Sequence, residues 1–141
     1  MADDRRQALQ VLNQAYAWKH NSLAAYITQA APFVDSGAES LLTEIQNIAE
    51  EDNSFAERLG RTIESFGESP HAPPHDASVS ELNYLSIKYL AGHLCAQLEK
   101  QLAYLKQSQD LCHCKLAAVQ AIRDLIQVTE TQLGKLRKAE Q

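Results

Sequence analysis

Apolar residues recur every three or four positions along most of this chain, and that spacing restricts it to long helices with one buried face. The first stretch carries this pattern through Leu9, Leu12, Tyr16, Lys19, Leu23, Tyr26 and Ala30. The second carries it through Leu41, Ile45, Ile48, Asp52, Phe55, Leu59 and Phe66. Only five glycines and four prolines interrupt the 141 residues, so long stretches are free of helix breakers. The sequence therefore predicts an all-α fold.

The predicted helices cover residues 4–33, 38–66, 79–108 and 113–138 of a single four-helix-bundle domain spanning 1–141. Ser36 with Glu39, and Ser78 with Glu81, have the spacing of a capping box and predict the starts of the second and third helices. Gly67 predicts the end of the second helix. No glycine or proline marks residues 109–113, so the presence of a turn between the third and fourth helices stays open.

The connection between the second and third helices is the longest break in the chain and contains Pro70, Pro73 and Pro74. The second helix would be about 42 Å long at 1.5 Å per residue. An extended connection of roughly 11 to 13 residues spans about 35–40 Å. This length predicts a crossover that returns along the bundle, so that the second and third helices run parallel. A long hairpin loop is the alternative.

Two inward-facing positions carry charges, Lys19 on the first helix and Asp52 on the second. Charges are costly in a core unless they are paired or hydrogen-bonded, so we expect these two side chains to form a buried ion pair. One alternative is an active-site pair in which a desolvated lysine acts as a base or nucleophile. Another is a lysine whose ammonium reaches the edge of the bundle.

Both charged positions fall within segments that resemble bacterioferritin-type sequences. Leu12-Asn13-Gln14, followed by Lys19 and Tyr26, resembles the first ferritin helix, with Lys19 at the position of a metal-ligating glutamate. The segment from Asp52 to Leu59 resembles the Glu-x-x-His segment of the family, with Asp52 at the glutamate position and Phe55 at the histidine position. The resemblance implies a ferritin-like four-helix bundle, with a long crossover between helices 2 and 3.

The same resemblance implies that the di-iron centre has been lost. Ile126 and Thr129 occupy inward positions of the fourth helix and cannot replace a Glu-x-x-His pair. The preferred interpretation is a non-enzymatic helical domain with no cofactor, which acts through self-association or partner binding. The alternative is a metal-binding protein that oxidises or stores iron through atypical ligands. The weak candidates for such ligands are Asp52, Glu130, His113, Cys112 and Cys114.

The composition limits which partners and which cellular location are expected. The net charge of −5 and the lack of a basic stripe argue against nucleic acid as a partner. The charged N-terminus argues against a signal peptide, and no apolar run approaches the ~20 residues of a membrane span. Three cysteines without framework spacing are typical of a reducing cytoplasm. A homodimer is expected, with helix-to-helix contacts through the aromatic residues Tyr16, Trp18, Tyr84, Tyr89 and Tyr104.

Overall fold

The computed structural model describes residues 2–30, 32–73 and 85–140. Within these ranges the chain forms helices and their connections, and the predicted all-α class is confirmed. The helices in chain order are α1 (Ala2–His20), α2 (Leu23–Gln29), α3 (Glu39–Glu64), α4 (Ile87–Ser108), a 3-10 helix (Gln109–Cys112) and α5 (Leu116–Glu140). The four long helices pack together as a bundle, and the short α2 packs on α3.

The predicted first helix, residues 4–33, is interrupted, because α1 ends at His20 and α2 begins at Leu23. Ser22 lies at the interruption. Its backbone is extended (φ −60°, ψ 122°), and its hydroxyl accepts a hydrogen bond from the Ala25 N–H as the N-cap of α2. The second segment then ends at Gln29 rather than at residue 33.

The starts of the next two helices differ from their capping-box signals. The N-cap of α3 is Ala38, which makes no side-chain capping bond, and Gly37 before it has a positive φ of 85°. The N-cap of α4 is Ser86, whose hydroxyl accepts from the Lys88 N–H, so α4 begins at Ile87 rather than at residue 79. The predicted capping box of Ser78 and Glu81 lies outside the described residues.

The other helix ends are close to their predicted positions. Helix α3 ends at Glu64, shortly before Gly67, whose φ of 84° is the left-handed conformation that ends helices. Helix α4 ends at Ser108, as predicted. The 3-10 helix and residues 113–115 then separate α4 from α5, which answers the question that the sequence left open.

The bundle core consists of two apolar clusters. The first cluster joins α2, the first halves of α3 and α4, and the last turns of α5; its large members include Ile27, Leu41, Ile45, Ile48, Ile87, Leu90, Leu94, Leu98, Leu133 and Leu136. The second cluster joins α1, the last turns of α3 and α4, and the first half of α5; its large members include Val11, Leu12, Leu59, Ile63, Leu105, Ile122 and Leu125. The first halves of α3 and α4 therefore lie at one end of the bundle, and their last turns lie at the other.

Residues 68–73, which follow α3, lie alongside α1. The guanidinium of Arg5 is 3.4 Å from the Glu68 carboxylate. Further along α1, Asn13 Oδ1 accepts from the backbone N–H of His71 at 3.1 Å. At the end of α1, the amide of Asn21 donates to the Pro73 carbonyl at 2.9 Å. Residues 68–73 thus run from the first turns of α1 to Asn21, the residue that follows its last one.

Candidate functional site: a buried polar layer

A layer of polar side chains separates the two apolar clusters. Its members are Lys19, Ser22, Asp52, Gln101 and Gln132, and each is at most 5% exposed. Helices α1, α3, α4 and α5 each contribute at least one of them, and Ser22 lies in the break before α2. All four long helices therefore meet at this layer, which we call the polar layer.

The centre of the polar layer is an ion pair between α1 and α3. Lys19 Nζ lies 3.4 Å from Asp52 Oδ1, and the side chains are 1% and 5% exposed. Lys19 Nζ also donates to Gln101 Oε1 on α4 at 3.0 Å. A single buried ammonium thus contacts two other helices, which fixes how the three helices are aligned.

Ser22 and Gln132 complete the surroundings of the carboxylate. The Ser22 hydroxyl donates to Asp52 Oδ2 at 2.8 Å while it caps α2. The Gln132 amide lies close enough to Asp52 to favour its charged form, and it also donates to the exposed Glu51 at 3.4 Å. Asp52 is therefore approached from the α1–α2 break and from α5 as well as from Lys19.

Burial and charge act on Asp52 in opposite directions. Burial raises the pKa of the Asp52 carboxyl above its usual value, and the Lys19 ammonium and the polar side chains of Ser22 and Gln132 oppose that rise. Removal of Lys19 would take away the largest of these opposing effects and leave burial opposed only by Ser22 and Gln132. The ion pair is therefore what favours a charged carboxylate in this position.

The other positions at which the resemblance expects metal ligands are occupied by Phe55, Ile126 and Thr129. None of these side chains supplies a carboxylate or an imidazole. Phe55 is half-buried on the second cluster, with the Arg58 guanidinium 5.8 Å from the centre of its ring. Ile126 is half-buried on the same cluster. Thr129 is fully buried, and its hydroxyl donates to the Leu125 carbonyl of its own helix at 2.7 Å.

The remaining candidate ligands lie away from Asp52. Glu130 is exposed and lies 3.9 Å from the Lys106 ammonium. His113 is exposed at the joint between α4 and α5, with Nδ1 2.6 Å from the Asp110 carbonyl oxygen. Within the described ranges, no three or more histidine, cysteine, aspartate or glutamate side chains are grouped as a metal ion would require.

The cysteines of the same joint are in different environments. Cys112 is fully buried in the second cluster, whereas Cys114 is exposed. Burial raises the pKa of the Cys112 thiol to about 11. A thiol with a raised pKa is a poor nucleophile and a poor metal ligand at neutral pH, so Cys112 has the properties of a packing residue.

The aromatic residues expected at an interface are only partly exposed. Trp18 and Tyr104 are half-buried and contact each other edge to face, with ring centroids 5.2 Å apart. Tyr16 stacks on His20 at 5.3 Å. Tyr89, in contrast, is 64% exposed on α4. Tyr84 lies outside the described residues.

Three members of the polar layer have no clear signal in the sequence. Ser22, Gln101 and Gln132 each precede a leucine that satisfies the apolar pattern at the neighbouring position. Lys19 and Asp52 are visible because the pattern residues before and after each of them keep the spacing of three and four only if that position faces inward. The pattern leaves the rotation of each helix uncertain by one residue. It therefore cannot decide whether the polar residue or the following leucine faces the core at these three positions.

The fold and the polar layer define the class of this protein as an all-α bundle with a charged centre. No protein-family model, curated protein or solved structure matches the chain. None of the helices in the described part of the chain is both long enough and apolar enough to cross a membrane.

Proposed function

We propose that this chain is a ferritin-like helical domain without a di-iron centre, and that it acts through self-association or partner binding. The observation that carries the proposal is the buried ion pair of Lys19 and Asp52. It occupies the two positions at which the sequence resemblance expects metal-ligating glutamates. A bundle with this centre has a structural core where a di-iron protein has a reactive one.

The chemistry of the donor set supports the loss of metal. A di-iron site in a bundle requires several carboxylates together with two imidazoles. The polar layer instead brings together one carboxylate, one ammonium, two amides and a hydroxyl. An ammonium 3.4 Å from the only carboxylate repels a cation at the same position. These residues do not fit a di-iron centre.

The packing supports a ferritin-like crossover as part of the same proposal. Helices α3 and α4 share the first cluster through their first halves and the second cluster through their last turns. That arrangement is expected of two helices that run parallel and are joined by a long connection. Residues 68–73 also lie along α1 in the direction that such a connection requires.

The three cysteines, all free, suit the reducing cytoplasm that the proposal assumes.

A group of exposed apolar residues lies at the end of the bundle that contains the first cluster. Phe33 is 61% exposed and Leu85 is 36% exposed, and the Phe33 N–H donates to the Leu85 carbonyl at 2.9 Å. Tyr89 follows on the first turn of α4. Exposed apolar groups this close in the fold are typical of interaction surfaces. We propose that this end forms the contact of a homodimer.

The metal-free proposal predicts the result of a metal assay. Protein purified without an affinity tag should contain far less than one iron per chain, and it should not accelerate the oxidation of ferrous iron. Elemental analysis and an oxygen-consumption assay, with an active ferritin as positive control, would measure both. Stoichiometric iron, or a pair of metal ions about 4 Å apart inside the bundle, would contradict the proposal.

The self-association proposal predicts a dimer that depends on the first-cluster end. Light scattering coupled to size-exclusion chromatography should give the mass of a dimer for the unchanged protein. Tyr89→Lys should shift the mass toward the monomer because it places a charge in the apolar contact. Leu116→Lys is the matched control, since Leu116 is 70% exposed at the start of α5, at the other end of the bundle. A monomer for the unchanged protein, or equal effects of both substitutions, would refute this interface.

A further inference from the structure

The polar layer contains buried hydrogen-bonding groups that lack partners. Within the described residues, Asp52 Oδ1 and Gln132 Oε1 are buried acceptors without a hydrogen bond. Lys19 Nζ is the nearest cation to Asp52 Oδ1, but the 3.4 Å between them exceeds the roughly 2.7–2.9 Å of a charge-assisted hydrogen bond. Buried acceptors are almost always satisfied in folded proteins, so these two require a donor.

Lys19 has donors to spare in the same place. An ammonium carries three N–H groups, and one of them donates to Gln101 Oε1 at 3.0 Å. The contact with Asp52 is too long for a strong second bond. The layer therefore needs a group that accepts from an ammonium and donates to a carboxylate.

Most small species fail one of these two requirements. A metal ion would be repelled by the ammonium and would offer it no acceptor. An anion would find two acceptor oxygens and could donate to neither. A proton on Asp52 would satisfy Oδ1 but would leave the lysine charge buried without a counter-ion. Water both accepts and donates, and buried water typically forms about three hydrogen bonds to such groups.

We propose that the polar layer is a buried hydration site, in which an internal water accepts from Lys19 Nζ and donates to the ionised Asp52 at Oδ1. The ion pair is then partly mediated by water, and Gln132 Oε1 is an additional acceptor in the same layer. This inference goes beyond the proposed function, because it holds for any role of the bundle in which the pair stays charged.

The experiment is a crystal structure of the full chain at a resolution that orders internal water, together with NMR of protein labelled with ¹³C at aspartate. We expect electron density within about 2.6–3.2 Å of both Asp52 Oδ1 and Lys19 Nζ. In solution we expect a nuclear Overhauser effect from a long-lived water, and an Asp52 Cγ shift typical of a carboxylate at pH 7. Thr129→Val is the matched control, because the buried Thr129 hydroxyl already has a partner. This variant should keep the water.

Three results would overturn the inference. The first is a direct Lys19–Asp52 bond of about 2.8 Å with no density between the two groups. The second is an Asp52 Cγ shift typical of a protonated acid at pH 7. The third is anomalous scattering at the site from a halide or from a metal, and only the metal would also contradict the metal-free proposal. The first two leave that proposal intact, so the two failures are distinguishable.

Discussion

Lys19 is tolerated in the core because two helices supply it with oxygen atoms. The carboxylate of Asp52 balances its charge, and Gln101 accepts one of its N–H groups. The side chain is only 1% exposed, so neither partner can be replaced by bulk water. A buried pair of this kind gains little over apolar residues of similar size, but the loss of one member is costly. Because of this asymmetry, replacing Lys19 or Asp52 alone tests the buried pair more sharply than any other substitution.

A prediction at the residue scale concerns alkaline pH. The pKa of Cys112 is about 11 in the folded protein against 9.0 for a free thiol, so the folded state holds its proton more tightly. The stability that this adds is complete below pH 9 and is lost as the pH rises toward 11. The loss in the free energy of unfolding should be roughly 1–2 kcal/mol.

Denaturant melts between pH 8 and pH 11 would measure this effect. Cys112→Ala should show a smaller loss of stability over that range than the unchanged protein. The exposed Cys114, two residues away, gives the control Cys114→Ala, which should keep most of the pH dependence because burial is the larger cause of the Cys112 shift. Cys95 is unchanged in all three proteins, so its own titration cancels in the comparison. Equal slopes for the three proteins would show that Cys112 is not buried as described.

At the element scale, the Ser22 hydroxyl contributes both to the break between α1 and α2 and to the polar layer. Ser22 accepts from Ala25 N–H as an N-cap and donates to Asp52 Oδ2. Ser22→Ala removes a cap and leaves a buried carboxylate oxygen without a donor, so it should cost about 2–3 kcal/mol. Ser86→Ala is the matched control.

Ser86 also caps a helix, and it also donates to an aspartate, Asp35, at 2.8 Å. That contact is only partly buried, so its loss should cost about 1 kcal/mol. Thermal or denaturant melts of the two variants would give the difference. If Ser22→Ala cost no more than Ser86→Ala, the contact between Ser22 and Asp52 would not contribute to stability.

The helices show how much of this fold the sequence alone could predict. The periodicity and the lack of breakers indicated four long helical stretches, and Gly67 and Ser108 mark helix ends close to those predicted. The break at Ser22 cannot be predicted from a local pattern, because no glycine or proline marks it and because the Ser22 hydroxyl bonds to Asp52, which is 30 residues away. A local pattern contains no information about such a partner. For the same reason the pattern identified Lys19 and Asp52 but could not identify Ser22, Gln101 and Gln132 beside them.

At the scale of the whole molecule, the polar layer divides the core into two apolar clusters. Apolar clusters alone would allow neighbouring helices to slide by a turn, because leucine and isoleucine tolerate many packing arrangements. Lys19 has its partners at one level only, on α3 and on α4. The layer therefore specifies a single alignment of the four long helices, as a buried polar residue does in a coiled coil. This is the structural role that we assign to the positions at which the resemblance expects metal ligands.

The most direct test of this account is a double-mutant cycle on the central pair, measured by denaturant melts of four proteins. Lys19→Met alone and Asp52→Leu alone should each lower the free energy of unfolding by about 3–5 kcal/mol, because each leaves the other charge buried without its partner. The double variant should recover most of that loss, which gives a large coupling energy between the two positions. Small, additive effects of no more than about 1 kcal/mol, as for an exposed pair, would contradict the account.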